Sequence, residues 1–168
     1  MTKRASSKSI AILGFGIIFA LFGGLFLSGV LDDLVPEDNA DGEIRLRPDN
    51  AELVDSGRQV YADYCAACHG ANLEGEPNWR IRKPDGLLPA PPHDETGHTW
   101  HHSDKQLFQM TKIGAAALIQ DPTYQTAMPI YDGVLSDREI IAVLSYIKST
   151  WPAHVKQHHD RLNGPAGN

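Results

Sequence analysis

The sequence predicts an all-α domain of three main helices, carried behind one transmembrane helix. Three observations predict it. A run of 22 residues without a charge, Ile10 to Leu31, stands near the N-terminus. Three later stretches place apolar residues at helical spacing between capping and stop signals. No stretch reads as a strand. At 168 residues the chain has room for one domain and some additional segments. Hydrophobic residues at 42% and charged residues at 21% fit neither an acidic disordered tail nor a many-span membrane protein. A net charge of −6 argues against a nucleic-acid-binding module, which shows a basic face. Two cysteines make no disulfide scaffold.

The run Ile10–Leu31 (IAILGFGIIFALFGGLFLSGVL) would be about 33 Å long as a helix. The hydrocarbon core of a bilayer is about 30 Å thick, so the segment reads as a span. A cleaved signal peptide is the competing reading. Its apolar region runs to roughly 7–15 residues and ends in an A-x-A-like site. This run is longer and no such site follows it, so residues 1–31 read as an uncleaved anchor. Lys3, Arg4 and Lys8 precede the span, and Asp32 and Asp33 follow it. Positive flanks stay in the cytoplasm, which places everything after the span outside. That portion keeps 12 basic and 21 acidic residues, a net of −9. Ala20-x-x-x-Gly24 within the span is a small-residue pair of the kind that lets membrane helices approach closely, although glycine is common in such helices anyway.

Residues 32–50 (DDLVPEDNADGEIRLRPDN) read as an acidic tether with no fixed fold. The first helix of the domain is expected over Glu52–Cys65, with Leu53, Gly57, Val60, Tyr61 and Tyr64 on one stripe. The second starts after Ser103, where Gln106 completes a capping pair, and runs through Leu107 and Met110 to about Ile113, stopped by Gly114. The third follows Ser136-Asp137-Arg138-Glu139 and runs to about Thr150. Its expected buried face is Ile140, Val143, Leu144, Ile147 and Trp151, and Pro152 closes it. The folded domain is thus expected over 51–152. Residues 153–168, with His154, His158 and His159, read as a solvated polar tail.

Residues 65–69 carry the chemistry: Cys65-Ala66-Ala67-Cys68-His69. C-x-x-C alone is shared by redox dithiols, half zinc sites and haem attachment, but C-x-x-C-H is the haem c pattern. Thiols three positions apart reach the two vinyl groups of one haem, and the adjacent His69 then offers its imidazole to the iron. A structural zinc site needs four ligands, usually with a second cysteine pair, and the chain has none. A thioredoxin-like dithiol belongs in a βαβ context, whereas the flanking sequence here is helical.

Haem iron then needs a sixth ligand or an open site. Met1 is terminal and Met110 lies within a predicted helix. Met128 lies in a turn-rich stretch, Tyr124 to Gly133, with Pro129 stiffening the chain after it. Filling core space is the ordinary use of a methionine. The Met-Pro context and the vacant ligand position favour Met128 as the axial partner of His69.

With these residues in place, about three-fifths of the chain, residues 51–152, resembles a class I c-type cytochrome. Gly57 and Tyr61 stand eight and four residues before Cys65. In that family such a glycine and aromatic form the crossing of the first and last helices, and the likeness makes Ile140 and Val143 the partners across it. Met128-Pro129, then Leu135-Ser136-Asp137 and Val143-Leu144-Ser145-Tyr146-Ile147, are similar to the family's methionine loop and final helix. The resemblance implies a fold of three main helices around one covalent haem, with His and Met ligands and an electron-carrying role rather than catalysis. With its anchor, the chain is similar to membrane-tethered monohaem cytochromes of Gram-negative bacteria. It also implies that a proline carbonyl accepts the Nδ1–H of His69, and Pro89, Pro91 and Pro92 all stand as candidates.

The chain departs from that family between the attachment motif and the second helix, where Glu74 to His102 is long. Trp79, Arg80, Arg82 and Trp100 could donate to haem propionates, or be ordinary surface charges and core indoles. His93, His98, His101 and His102, with Asp94 and Glu95, would suit a second metal such as copper or zinc; packing at the haem edge, capping the second helix or facing water are the alternatives.

These readings give a one-electron carrier on the periplasmic side of a bacterial inner membrane, part of a respiratory or related electron-transport chain. Its expected partners are redox proteins or complexes of the membrane and periplasm, with no nucleic acid and no small-molecule substrate. Two other roles stay open: an electron-entry subunit of a larger membrane oxidoreductase, and a haem or metal sensor in which Met128 is displaceable.

Overall fold

Asn50 opens the first helix, α1 (Ala51–Tyr64), by accepting the Leu53 amide hydrogen on its side chain at 3.0 Å. The fold is that of a computed structural model, which describes residues 43–164, all within the unit Asp38–Asn168. The predicted span Ile10–Leu31, residues 32–42 of the tether and residues 165–168 lie outside the described residues. No helix among the described residues is long and apolar enough to cross a membrane.

The other elements are α2 (Ala66–His69), a 3₁₀ turn (Thr99–His101), α3 (Asp104–Ile113), α4 (Ala115–Leu118), α5 (Asp137–Thr150) and α6 (Ala153–Leu162), with no strand among the described residues. Both predicted capping boxes are formed. Ser103 and Gln106 satisfy each other's amide at the start of α3, as Ser136 and Glu139 do for α5. Gly114 ends α3 with φ of +85°.

The central contact is α1 against α5. Leu53, Gly57, Val60 and Tyr61 are buried on α1 as expected. Tyr64, the fifth member of that stripe, is 45% exposed; it ends the helix and meets Tyr131 edge-on instead. At Gly57 the two backbones touch: a Cβ there would overlap the Ala142 carbonyl and crowd the Val143 amide. Only glycine permits that approach. Val143 is therefore a crossing partner, while Ala142 takes the place expected of Ile140, which is instead fully buried in the core.

The expected face of α5 is buried, but so are Ile141, Ala142, Ser145 and Lys148. Segments read as unfolded cover that second side. Leu46 is buried, its amide donates to Asp104 Oδ2 at 3.0 Å, and the Arg47 amide donates to Ser145 Oγ at 3.0 Å. The end of the tether is thus part of the fold. The polar tail is corrected likewise. Pro152 closes α5, with Trp151 extended before it, and then caps α6. Val155 and His159 of α6 are buried and the Trp151 ring meets His159 edge-on at 5.1 Å. His159 is completely enclosed rather than solvated.

Buried charge holds α6 in place. Lys148 Nζ lies 2.7 Å from Asp160 Oδ1 and 3.9 Å from Asp104 Oδ1, and His159 Nε2 lies 3.5 Å from Asp104 Oδ1. Burial lowers the His159 pKa to about 4, with the Lys148 charge acting in the same direction, so the ring is neutral near neutral pH. Burial raises the Asp104 pKa, against the pull of the Leu46 amide and Lys148.

Candidate haem-attachment site

The attachment motif is a single turn hung on the end of α1. Cys65 donates its amide hydrogen to the Tyr61 carbonyl at 2.9 Å, closing α1. The amides of Cys68 and His69 both return to the Cys65 carbonyl, at 3.1 and 2.9 Å. The two thiols therefore lie one turn apart, Cys65 at the cap of α2 and half-buried, Cys68 within α2 and exposed, and both are free. Burial, with the charge of Cys68 adding to it, pushes the Cys65 thiol up to about 11.

His69 is buried, at 8% exposure. Its Nδ1 donates to the Pro91 carbonyl at 2.8 Å, which settles the choice among Pro89, Pro91 and Pro92. That bond places the proton on Nδ1 and leaves Nε2 as the free lone pair. Burial lowers the His69 pKa, partly opposed by the Pro91 carbonyl, and so favours the neutral form that a metal requires. Two free thiols on one turn beside a neutral, oriented imidazole fit a covalently attached haem.

The chain around Pro91 is braced. The Glu76 carboxylate accepts the Ala90 amide at 2.6 Å and Lys83 at 3.1 Å, and the Glu76 amide donates to the Ala90 carbonyl at 2.8 Å. Those contacts, the Ala90 amide first, hold the Glu76 pKa below its ordinary value. Gly75, at φ +67°, runs so close to Pro91 and Pro92 that a Cβ would collide with their backbone. Behind the motif, the Tyr61 hydroxyl donates to the Gly70 carbonyl at 2.8 Å.

Met128 is half-buried against the core, and its amide donates to Thr126 Oγ1 at 3.1 Å. The methionine segment is anchored just beyond it. The amides of Tyr131 and Asp132 donate to the Thr111 and Lys112 carbonyls of α3 at 3.2 and 2.9 Å. The Tyr131 hydroxyl donates to the Tyr64 carbonyl at 2.8 Å, one residue before Cys65. The sequence reading missed Tyr131; an aromatic three residues after Met128 was the available signal.

The histidine-rich stretch is spread over separate contacts, and no group of three or more His, Cys, Asp or Glu able to hold a metal occurs among the described residues. His93 stacks on His69, His98 on Trp79 and His101 on Trp100, while His102 meets His98 edge-on. The candidate propionate donors also have local partners. The Arg80 guanidinium covers the Trp79 ring at 4.1 Å, Arg82 donates to the Gly86 carbonyl at 2.6 Å, and Trp100 Nε1 donates to the Glu95 carbonyl at 3.3 Å.

The model of one protein family, Cytochrome c, matches residues 54–151, more than half of the chain, from the first turn of α1 past the end of α5. Comparison with curated proteins and with solved structures gives no match.

Proposed function

The chain belongs to the cytochrome c family and carries haem c on Cys65 and Cys68, and from that premise we propose that it is a membrane-tethered one-electron carrier facing the periplasm. The observation that carries the reading is the Cys65–His69 turn, with the His69 Nδ1 committed to Pro91. The bound haem supplies the one-electron chemistry, its iron cycling between Fe(III) and Fe(II). His69 would hold the iron through Nε2, with its ring oriented from the other nitrogen by the Pro91 carbonyl. The Met128 thioether would be the second protein ligand; a neutral, soft donor would favour the reduced ion and raise the potential relative to a second histidine. Met128 in that role would also keep O₂ from the metal. Tyr131 and the α3 carbonyls support the methionine segment in this role.

The span Ile10–Leu31, with its basic leading flank, supports a single-pass anchor in a bacterial inner membrane. A tether of this kind raises the effective concentration of the carrier near membrane redox partners. The net charge of −9 after the span disfavours strongly acidic partners.

Two measurements test the reading. The oxidised protein should show the long-wavelength charge-transfer band of methionine-ligated ferric haem; its absence would favour an open or bis-histidine site. The protein should keep its first residues and stay with membranes through a high-salt wash. A soluble form starting near residue 30 would show that the segment is cleaved.

A further inference from the structure

His93 lies face to face with His69, ring centroids 4.0 Å apart and planes inclined by 20°. Several contacts hold His93, which is itself partly buried. Its Nδ1 is hydrogen-bonded with the Thr99 hydroxyl at 2.8 Å, and Thr99 is itself buried. Its amide donates to the Leu73 carbonyl at 2.8 Å, and its carbonyl accepts Trp151 Nε1 at 2.7 Å. Tyr61 meets it edge-on at 6.4 Å. The backbone of His93 is thus pinned between the loop after the attachment motif and the end of α5, and its ring is pinned by Thr99.

The Pro91 bond acts in the plane of the His69 ring and holds one atom of it. It leaves the ring free to rock about the line from Nδ1 to the acceptor. A flat surface against the ring face removes that freedom, because tilting the ring drives its edge into the neighbour. A planar ring held at this position by its backbone contacts supplies that surface, and in this protein the ring is His93, with Thr99 as an additional hold on it.

We propose that His93 is a positioning residue for the proximal ligand, setting the plane of the His69 ring by stacking on it. The proposal rests on the reading of His69 as an axial ligand. The orientation of an axial imidazole plane decides which iron π orbital holds the unpaired electron of the low-spin ferric ion. That choice is read directly in the paramagnetically shifted haem methyl resonances and in the anisotropy of the electron paramagnetic resonance signal.

The test compares His93→Leu with His93→Phe in the full-length haem protein. Both keep an apolar side chain of useful volume, which limits damage to packing. Phenylalanine keeps the flat face and leucine removes it. H93L should change the spacing and order of the shifted methyl resonances and the g anisotropy, and H93F should restore the native pattern. An unchanged pattern in H93L overturns the proposal, and equal changes in both variants overturn it as well. The underlying reading fails separately: His69→Ala with an intact low-spin spectrum would show that His69 is not a ligand at all.

Discussion

Tyr131 donates its hydroxyl hydrogen to the backbone carbonyl of Tyr64 at 2.8 Å, across 67 residues of sequence. Through this bond the segment bearing Met128 is fastened to the helix end that bears Cys65. Tyr131 is buried, while Tyr64, whose carbonyl accepts the bond, is partly exposed. Two parts of one candidate ligand set are thereby held by a third residue that is not a ligand.

Removing that hydroxyl should loosen the methionine segment. Tyr131→Phe leaves the Tyr64 carbonyl short of a donor, a cost of about 1 kcal/mol. Methionine should then be displaced more readily, and the affinity of the ferric protein for added imidazole should rise about fivefold. An unchanged affinity would show that the segment is held by its α3 contacts alone.

Met128→Ala should open the iron to external ligands. The reduced variant should bind CO, which the native protein should refuse, and the midpoint potential should fall. If the variant keeps the native visible spectrum and potential, Met128 is not the ligand.

Gly57→Val places a branched side chain where the Ala142 carbonyl lies. The helices must separate, at a cost on the order of 2 kcal/mol or more by overpacking. Haem should still attach, since both thiols remain. Denaturant unfolding of the haem protein measures the loss, and an equal midpoint in the variant would mean that α1 and α5 tolerate separation there.

His159 gives the fold a defined weakness to acid. Its folded pKa, about 4, lies below the ordinary 6.5. The unfolded chain therefore binds the proton more readily, and stability is full above pH 6.5. It falls as the pH drops from 6.5 towards 4, by an amount on the order of 3 kcal/mol at the lower limit. The comparison runs between pH 7 and pH 5, and Asp104, whose pKa burial raises, contributes with the opposite sign in both proteins compared. His159→Gln should lose less stability than the native protein over that interval, measured by denaturant unfolding. Equal losses would assign the acid sensitivity elsewhere.

Much of this arrangement was legible along the chain. The two capping boxes, the stop at Gly114 and the motif Cys65–His69 are signals that act within a few residues. The buried face of α5 followed from its apolar spacing. The tail was misread because α6 has only Val155 as a buried apolar residue, with His159 one turn on. A neutral histidine facing Trp151, beside buried Lys148 and Asp104, replaces the stripe that periodicity looks for. The end of the tether was misread for a similar reason, since Leu46 docks through one buried side chain and its backbone amide.

By itself the sequence determined the attachment chemistry and the helices that frame it, because thiol spacing, caps and apolar periodicity are properties of adjacent residues. Only the tertiary structure decided that Pro91, rather than its neighbours, accepts from His69, that His93 lies on the face of that ring, and that Tyr131 reaches Tyr64. Each of those contacts joins residues more than twenty positions apart. Their partners are chosen by where the packing of α1 on α5 and the bracing of the intervening loop bring distant backbone together, and local propensity carries no record of that choice.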